Sequence, residues 1–182
     1  TSATSGSSAL TEEWNMSTSV ITAAAWASAP VLNTGRENMM GAGTQTAGLI
    51  AGGRVAPDNS SNASETYDGA SWTTTPNLST DKYGVAGCGT QAAALAWGGR
   101  QTAPGSDSDA SAEWDGSSWT ATPSLNAPQN ASSGCGTSSA GLNAGGPGSP
   151  TEIYNGTSWT DQSAPSSPTL TGGRGGAGTT AA

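Results

Sequence analysis

The chain has 182 residues, a formal net charge of −8 at pH 7 and only five Lys and Arg residues together. So few cations exclude a nucleic-acid groove lined with basic side chains, and no apolar run reaches the ~18 residues of a membrane-inserted helix. The sequence contains no His and no Phe, and Leu, Ile and Val together make 15 residues. We therefore expect a folded chain with a thin core of Trp, Ala and Gly.

The N-terminal segment contains Trp14 and Trp26, which are 12 residues apart. The corresponding aromatic pairs further along the chain are only 5 residues apart, so "NMSTSVITAAA" is predicted to be an insertion that replaces a tight hairpin. The segment has neither an initiator Met nor a signal peptide. Thr1 is accordingly expected to be a processing product or the boundary of a longer sequence.

A four-fold internal repeat organises the chain. The run Gly-x-Gly-Thr ends at Thr44, Thr90, Thr137 and Thr179, with spacings of 46, 47 and 42 residues. Such a period is typical of the blades of a β-propeller. Two further signatures recur with it: the pairs Gly52-Gly53, Gly98-Gly99 and Gly145-Gly146, and the tryptophans Trp26, Trp72, Trp119 and Trp159.

Each copy is predicted to contain four short strands. In the second copy "GVAGCGT" and "AALAWGG" have the length and turn boundaries of strands, and a polar loop separates them from "SAEWDGSSWTAT". The Asp115-Gly116 step in that last segment predicts a hairpin with a two-residue type I′ turn. Equivalent steps are Asp68-Gly69 and Asn155-Gly156. We expect every copy to be a four-stranded antiparallel meander.

The order of these signatures resembles the kelch repeat over nearly the whole chain. In one blade the matching residues are Pro76, Leu78, Lys82, Gly98, Gly99, Trp114 and Trp119, and Arg36 holds the basic position of the first copy. The resemblance implies a β-propeller whose blades pack around a central channel. The low-charge Ser/Thr/Gly-rich composition is similar to kelch-like repeats of phage and marine bacterial surface proteins.

The predicted fold is all-β: a small propeller of about four kelch-like blades in a single domain, residues 1–182. The repeats are approximately 30–75, 76–122, 123–162, and 163–182 joined with 1–29, so that the N- and C-termini share one blade. Three alternatives stay open here. The chain closes on its own termini, exchanges them with other molecules to form a polymer, or is an excerpt of a longer array.

The residues available for chemistry are few. Without His, neither a Ser-His-Asp nor a Cys-His site is possible in this chain, and an imidazole-bound copper or zinc site is equally excluded. The carboxylate pairs Glu12 with Glu13 and Asp107 with Asp109 are expected to be solvated loop charges rather than a glycosidase pair. We expect no enzymatic activity, no bound metal and no cofactor.

Cys88 and Cys135 occupy equivalent positions, where the other copies have Ala42 and Ala177. This exchange with Ala favours a small packed side chain near the channel. A disulfide between neighbouring blades is the alternative, and it requires Cα atoms about 4.4–6.8 Å apart.

The repeated Trp and Tyr positions are expected to fill the space between blades. Tyr83 lies outside those positions and is therefore predicted to be an exposed ligand contact, together with Asp107 and Asp109. The loops after each Gly-Gly pair differ in length and composition between copies, and variable loops on a rigid scaffold are where binding usually occurs.

These features favour a non-enzymatic structural or adhesive module of an extracellular assembly, most concretely a phage virion appendage or decoration protein. Its expected partners are other structural proteins of the assembly, or further copies of this chain through the termini. The alternative is a secreted or cell-surface propeller that binds carbohydrate. Either role places the protein outside the cell or on a virion.

Overall fold

A computed structural model of the chain describes residues 28–146 and 151–162. This part of the chain is all-β, and none of its segments is a helix of the length and apolarity needed to cross a membrane. The strands are β1 (Met40–Thr44), β2 (Ala47–Ala51), β3 (Arg54–Val55), β4 (Asn59–Ser60), β5 (Ser64–Tyr67), β6 (Trp72–Thr75), β7 (Ala86–Gly89), β8 (Ala94–Trp97), β9 (Ser111–Trp114), β10 (Trp119–Thr122), β11 (Ser133–Thr137), β12 (Ala140–Ala144), β13 (Thr151–Tyr154) and β14 (Trp159–Gln162).

The strands form three four-stranded antiparallel sheets, each built from consecutive stretches of chain. Blade 1 has the order β1-β2-β5-β6, blade 2 has β7-β8-β9-β10, and blade 3 has β11-β12-β13-β14. The short hairpin β3-β4 lies inside the loop between β2 and β5. The predicted four-stranded meander is confirmed in these three copies, whereas the small hairpin has no signature in the sequence.

The first strands of the three blades lie side by side, because β7 packs between β1 and β11. Small residues allow this close approach: a Cβ atom on Gly134 of β11 would lie 2.6 Å from the ring of Trp97 and 2.5 Å from the carbonyl oxygen of Gly87. The Gly-x-Gly-Thr runs therefore form the inner strands, and β6, β10 and β14 are the outer ones. This radial order of meanders is that of a β-propeller.

Three hydrophobic clusters fill the space between the described blades. Trp97, Tyr154 and Trp159 pack with Leu95 and Leu125 between blades 2 and 3, and the rings of Trp97 and Trp159 meet edge to face with centroids 5.2 Å apart. Between blades 1 and 2 one cluster contains smaller side chains, namely Met40, Ala51, Leu78, Val85 and Ala96, and a second contains Leu49, Ala94 and Trp114, with Trp119 packed against both. Large aromatic rings thus compensate for the scarcity of aliphatic residues.

The Gly-Gly pair ends the second strand of each blade, where the backbone needs a conformation that L-residues rarely adopt. Gly52 has φ +70° and Gly53 has φ +110°. A Cβ atom on Gly52 would also lie only 2.9 Å from the carbonyl oxygen of Lys82. Glycine is therefore required here for two reasons: the positive φ, and the close approach of the segment that connects β6 to β7.

The predicted two-residue type I′ turn is wrong. Tyr67 pairs with Trp72, so the loop has four residues, and Gly69 has positive φ whereas Asp68 does not. The carboxylate of Asp68 instead accepts hydrogen bonds from the amides of Ala70 and Ser71 at 2.8 and 2.7 Å. The side chain of Asp68 closes the loop by accepting these hydrogen bonds, and Asp68 itself does not need a positive φ. This explains why Asp-Gly or Asn-Gly occurs at this step of the repeat.

The fold is thus all-β and of β-propeller type, as the sequence predicts. The fourth predicted blade, residues 163–182 joined with 1–29, falls almost wholly outside the described residues, as do Glu12, Glu13, Trp14 and Trp26. The predicted single domain over residues 1–182 likewise stays a prediction.

Candidate functional site

The loops that follow β2 and β8 lie beside the connections that join neighbouring blades. We term residues 52–63, 76–85, 98–110 and 123–132 the loop rim. The amide of Leu78 donates to the carbonyl of Asn62 at 2.9 Å, and the amide of Lys82 donates to that of Ser61 at 3.1 Å. The same two bonds recur in the next blade, from Leu125 to Asp109 and from Gln129 to Ser108. Repeated backbone bonds of this kind hold the variable loops on the rigid blades.

The rim loops of blades 1 and 2 are joined to each other. The amide of Ser60 donates to Thr102 Oγ1 at 2.9 Å, and the amide of Thr102 donates to Ser60 Oγ at 3.3 Å. Thr102 Oγ1 also donates to the carbonyl of Asp58 at 3.0 Å. Two loops from different blades therefore form one continuous surface.

Tyr83 lies on this rim but is not the freely exposed aromatic that the sequence predicts. The guanidinium of Arg54, from the loop of blade 1, lies 4.2 Å from the centroid of the Tyr83 ring. Tyr83 also forms a bridge with Arg100 through two backbone hydrogen bonds of 3.0 and 2.7 Å. Its ring is half-buried, because a cation from the neighbouring blade covers it.

Asp107 lies near Tyr83, since both residues form a backbone bridge with Arg100. Asp107 forms an ion pair with Arg100, with 2.8 Å between Oδ1 and Nη1. Asp109 is exposed, and its carbonyl accepts the hydrogen bond from Leu125. Among the residues that the structure describes, no group of three or more Asp, Glu, His or Cys side chains is placed to hold a metal ion.

A groove opens between the two joined loops and the connection from blade 1 to blade 2. Its volume is about 570 Å³. The lining residues are Asn59, Ser60, Ser79, Thr80, Asp81, Gln101, Thr102 and Ala103. Within the described part of the chain, the side chains of Asn59, Ser79, Thr80, Asp81 and Gln101 form no hydrogen bond, which leaves amide, hydroxyl and carboxylate groups free for a ligand. The variable loops were visible in the sequence, but the contribution of residues 79–81 was not.

The side chain at the basic position of the repeat is buried and serves the fold. In blade 1 the buried side chain of Arg36 forms an ion pair with Glu65 at 2.5 Å. The second oxygen of Glu65 accepts hydrogen bonds from the amide and the side chain of Asn33, each at 2.9 Å. Blade 3 keeps this arrangement with neutral donors, since Gln129 Nε2 donates to Glu152 at 3.0 Å and the amide of Asn126 donates to its other oxygen at 2.8 Å.

Blade 2 has no carboxylate at this position, because Ala112 stands where the other blades have Glu65 and Glu152. Lys82 is only 4% exposed, and its Nζ reaches the carbonyl of Ala110 at 3.4 Å. Burial lowers the pKa of Lys82 to about 8, and the charge of Asp109 offsets part of this effect. Because Arg36 and Gln129 occupy the same buried position, we interpret Lys82 as a structural residue.

Both cysteines are free thiols in the structure. Cys88 is buried on β7 beside blade 3, where its Sγ donates a hydrogen bond to the carbonyl of Thr137 at 3.2 Å. Burial raises the pKa of Cys88 to about 12, and Cys135 contributes further in the same direction. So high a pKa leaves very little of the nucleophilic thiolate form near neutral pH.

The comparisons with known proteins bear on the fold alone. No protein-family model matches the chain, and no curated protein matches it. The chain is similar to a solved structure described as "Structure of YjhT", a β-propeller-type structure, with a TM-score of 0.56 and 12% sequence identity. The similarity covers 66% of this chain and 42% of that one, so the chain spans less than half the length of that structure. Membership of the kelch repeat family stays a prediction.

Proposed function

We propose that this protein is a non-enzymatic structural or adhesive module of an extracellular assembly, and specifically of a phage virion appendage or decoration. The contact between Ser60 and Thr102 carries this proposal, since it joins the loops of two blades into one preformed surface on a rigid scaffold. Preformed surfaces bind without the entropic cost of ordering a loop.

The charges of the chain support a binding role over a catalytic one. Glu65 and Glu152 are occupied by buried donors, and Asp107 is paired with Arg100. The rest of the surface is rich in Ser, Thr and Gly, and only 10% of all residues are charged. Such a surface has few groups for nonspecific attraction to other macromolecules.

Immunogold labelling of virions tests this assignment. Antibodies against the purified chain are applied to phage particles propagated on bacteria from the source of the sequence. Gold at regular positions on the appendages or the capsid supports the proposal. Labelling confined to cell envelopes, with unlabelled particles, contradicts the virion assignment and favours a cellular surface protein.

A second candidate, a carbohydrate-binding propeller, is favoured by the groove lined by residues 59–60, 79–81 and 101–103. Five of its polar side chains are unbonded, and planar amides and carboxylates are suited to the paired hydroxyls of a sugar. A glycan array tests it with the wild type and an Asp81→Ala/Gln101→Ala variant. Binding that the variant loses supports this candidate, and binding that it retains contradicts it.

A further inference from the structure

Blades 1 and 3 each contain a buried glutamate that is held by two donors. In blade 3 the carboxylate of Glu152 accepts hydrogen bonds from Gln129 Nε2 at 3.0 Å and from the amide of Asn126 at 2.8 Å. In blade 1 the carboxylate of Glu65 is held in the same way, by the buried guanidinium of Arg36 and by a backbone amide. A side-chain donor and a backbone amide thus face the two oxygens of each carboxylate.

Blade 2 keeps both donors of this arrangement but not the carboxylate. Ala112 is the second residue of β9, the position that the glutamates hold in β5 and β13. Lys82 stands where blade 3 has Gln129, and Ser79 stands where it has Asn126, since each follows a buried leucine at the same spacing in the two blades. A cation and a backbone amide are therefore directed at a position where the chain supplies no acceptor.

The two donors of blade 2 lack a strong acceptor. Lys82 is only 4% exposed, and its one hydrogen bond within the described residues is the 3.4 Å contact from Nζ to the carbonyl of Ala110. The charge of Asp109 acts on Lys82 without forming an ion pair, and Asp109 is exposed. In the part of the chain that the structure describes, the amide of Ser79 has no acceptor either. A buried ammonium with three protons to donate is destabilised unless an anion or further acceptors reach it.

Short side chains border the place that the glutamate fills in the other blades. Ala121 pairs with Ala112 and so lies on the same face of the sheet, at the position of Asp161 in blade 3. Asp161 accepts a hydrogen bond from the side chain of Asn126 there, at 2.9 Å. In blade 2 Ser79 and Ala121 are exposed and Ala112 is half-buried, whereas both glutamates are buried. A small solute therefore reaches Ala112 from solvent.

We propose that blade 2 binds a small carboxylate ligand beside Ala112, where the other two blades have the carboxylate of their own glutamate. Lys82 Nζ pairs with one oxygen of the ligand, and the amide of Ser79 donates to the other. Acetate is the matching probe, because a glutamate side chain beyond its Cβ atom has the same heavy atoms as acetate. The carboxylate comes either from a free small acid or from the end of a larger acidic ligand. The inference goes beyond the proposed function and does not depend on it.

An NMR titration of the full chain with sodium acetate at pH 7 tests the site, with sodium chloride at equal ionic strength as the reference. Lys82 is mostly protonated at this pH, since its pKa is about 8. We expect a saturable shift of the Ser79 amide proton. The Asn126 amide, which already donates to Glu152, is the matched control and should not move. Sodium glucuronate is titrated in parallel: equal or weaker binding identifies a free small acid as the ligand, and tighter binding identifies a larger one.

The variant Ala112→Glu supplies the carboxylate covalently and should weaken acetate binding at least about ten-fold. Ala70→Glu adds the same charge at an exposed turn of blade 1 and should leave the acetate affinity unchanged. A Ser79 shift that chloride reproduces, that does not saturate, or that Ala112→Glu retains at wild-type affinity would overturn the proposal. If Ala112→Glu does not fold, Lys82→Met replaces it, with the same loss expected and unchanged affinity overturning the site.

Discussion

Trp97 of blade 2 donates its indole N–H to the side chain of Asn143 in blade 3 at 2.8 Å, and both residues are fully buried. Asn143 in turn donates to Gln129 at 2.6 Å, and Gln129 donates to Glu152 at 3.0 Å. A chain of buried hydrogen bonds thus runs from one blade into the next. Each buried polar side chain in this chain of hydrogen bonds finds its partner in the next one.

Replacement of Asn143 by Leu should destabilise the protein strongly. The substitution leaves the indole N–H of Trp97 and the amide oxygen of Gln129 buried without partners, which costs about 2–4 kcal/mol of unfolding free energy. Urea denaturation measures this loss. Asn59→Ala, at an exposed Asn without side-chain hydrogen bonds, is the control and should change stability by less than about 0.5 kcal/mol. Equal stability of the two variants would mean that the network does not hold the blades together.

Lys82 should make stability depend on pH in the alkaline range. Its folded-state pKa of about 8 lies below the ordinary value of 10.5, so protonation favours the unfolded chain. The stability associated with neutral Lys82 is full above pH 10.5 and is lost as the pH falls through about 8. We expect Lys82→Met to be more stable than the wild type at pH 7, and this advantage should shrink by up to roughly 3 kcal/mol by pH 10.5.

The matched control for this pH dependence is Arg100→Met, which removes a cation that does not titrate in this range. Its difference from the wild type should be the same at pH 7 and pH 10.5. A constant difference for Lys82→Met as well would show that the Lys82 ammonium is as well solvated in the folded protein as in the unfolded chain.

Cys88 should be almost inert to alkylation in the native protein. With a pKa of about 12 instead of 9.0, its thiolate fraction at pH 8 is lowered about a thousand-fold. Mass spectrometry of a Cys135→Ala variant treated with iodoacetamide measures the rate, with the urea-unfolded variant as the reference. Rates within ten-fold of each other would contradict the burial of this thiol. In denaturant without a reductant the wild type should take up two labels, whereas a disulfide would leave none.

The carboxylate of Asp115 should titrate well below its usual range. The hydroxyl and amide of Ser117 and the amide of Ser118 donate to it and lower its pKa to about 2. The stability that it contributes is present above pH 3.8 and is lost as the pH falls through about 2. An NMR titration of the side-chain carboxyl measures the value directly. A midpoint near 3.8 would show that these hydrogen bonds do not form in solution.

Substitutions at the same turn separate hydrogen bonding from charge. In the third copy Asn155 accepts hydrogen bonds from the amides of Thr157 and Ser158, each at 2.9 Å, so a neutral amide serves the same loop. Asp115→Asn should therefore keep a Tm close to the wild type, and Asp115→Ala should lower it. Equal Tm values for the two variants would show that the side-chain oxygen does not stabilise the loop.

The repeat made the blades predictable, because the Gly-x-Gly-Thr run, the Gly-Gly pair and the Trp each recur at a fixed strand position. The turn after Tyr67 was not predictable in type, since an Asp-Gly step fits both a two-residue turn and a four-residue loop closed by the Asp carboxylate. The hairpin β3-β4 was missed because its strands have two residues each.

The candidate site was predictable only as a set of variable loops. The contact between Ser60 and Thr102 joins residues 42 positions apart in two blades, and Tyr83 is covered by Arg54 from another blade. Neither relationship leaves a local pattern in the sequence. The structural role of Lys82 likewise depends on Ala112, which stands where blades 1 and 3 have a glutamate.

We propose that the loop rim carries the binding contact of a non-enzymatic module. The most direct measurement is biosensor binding of the purified chain to phage particles and to cell envelopes from its source. It compares the wild type with Asp81→Ala/Gln101→Ala and with Thr73→Ala/Thr120→Ala on the outer strands. We predict binding that only the rim variant loses, by ten-fold or more, and bound material that mass spectrometry finds chemically unchanged. Equal binding by all three proteins, or turnover of the bound material, would contradict the proposed function.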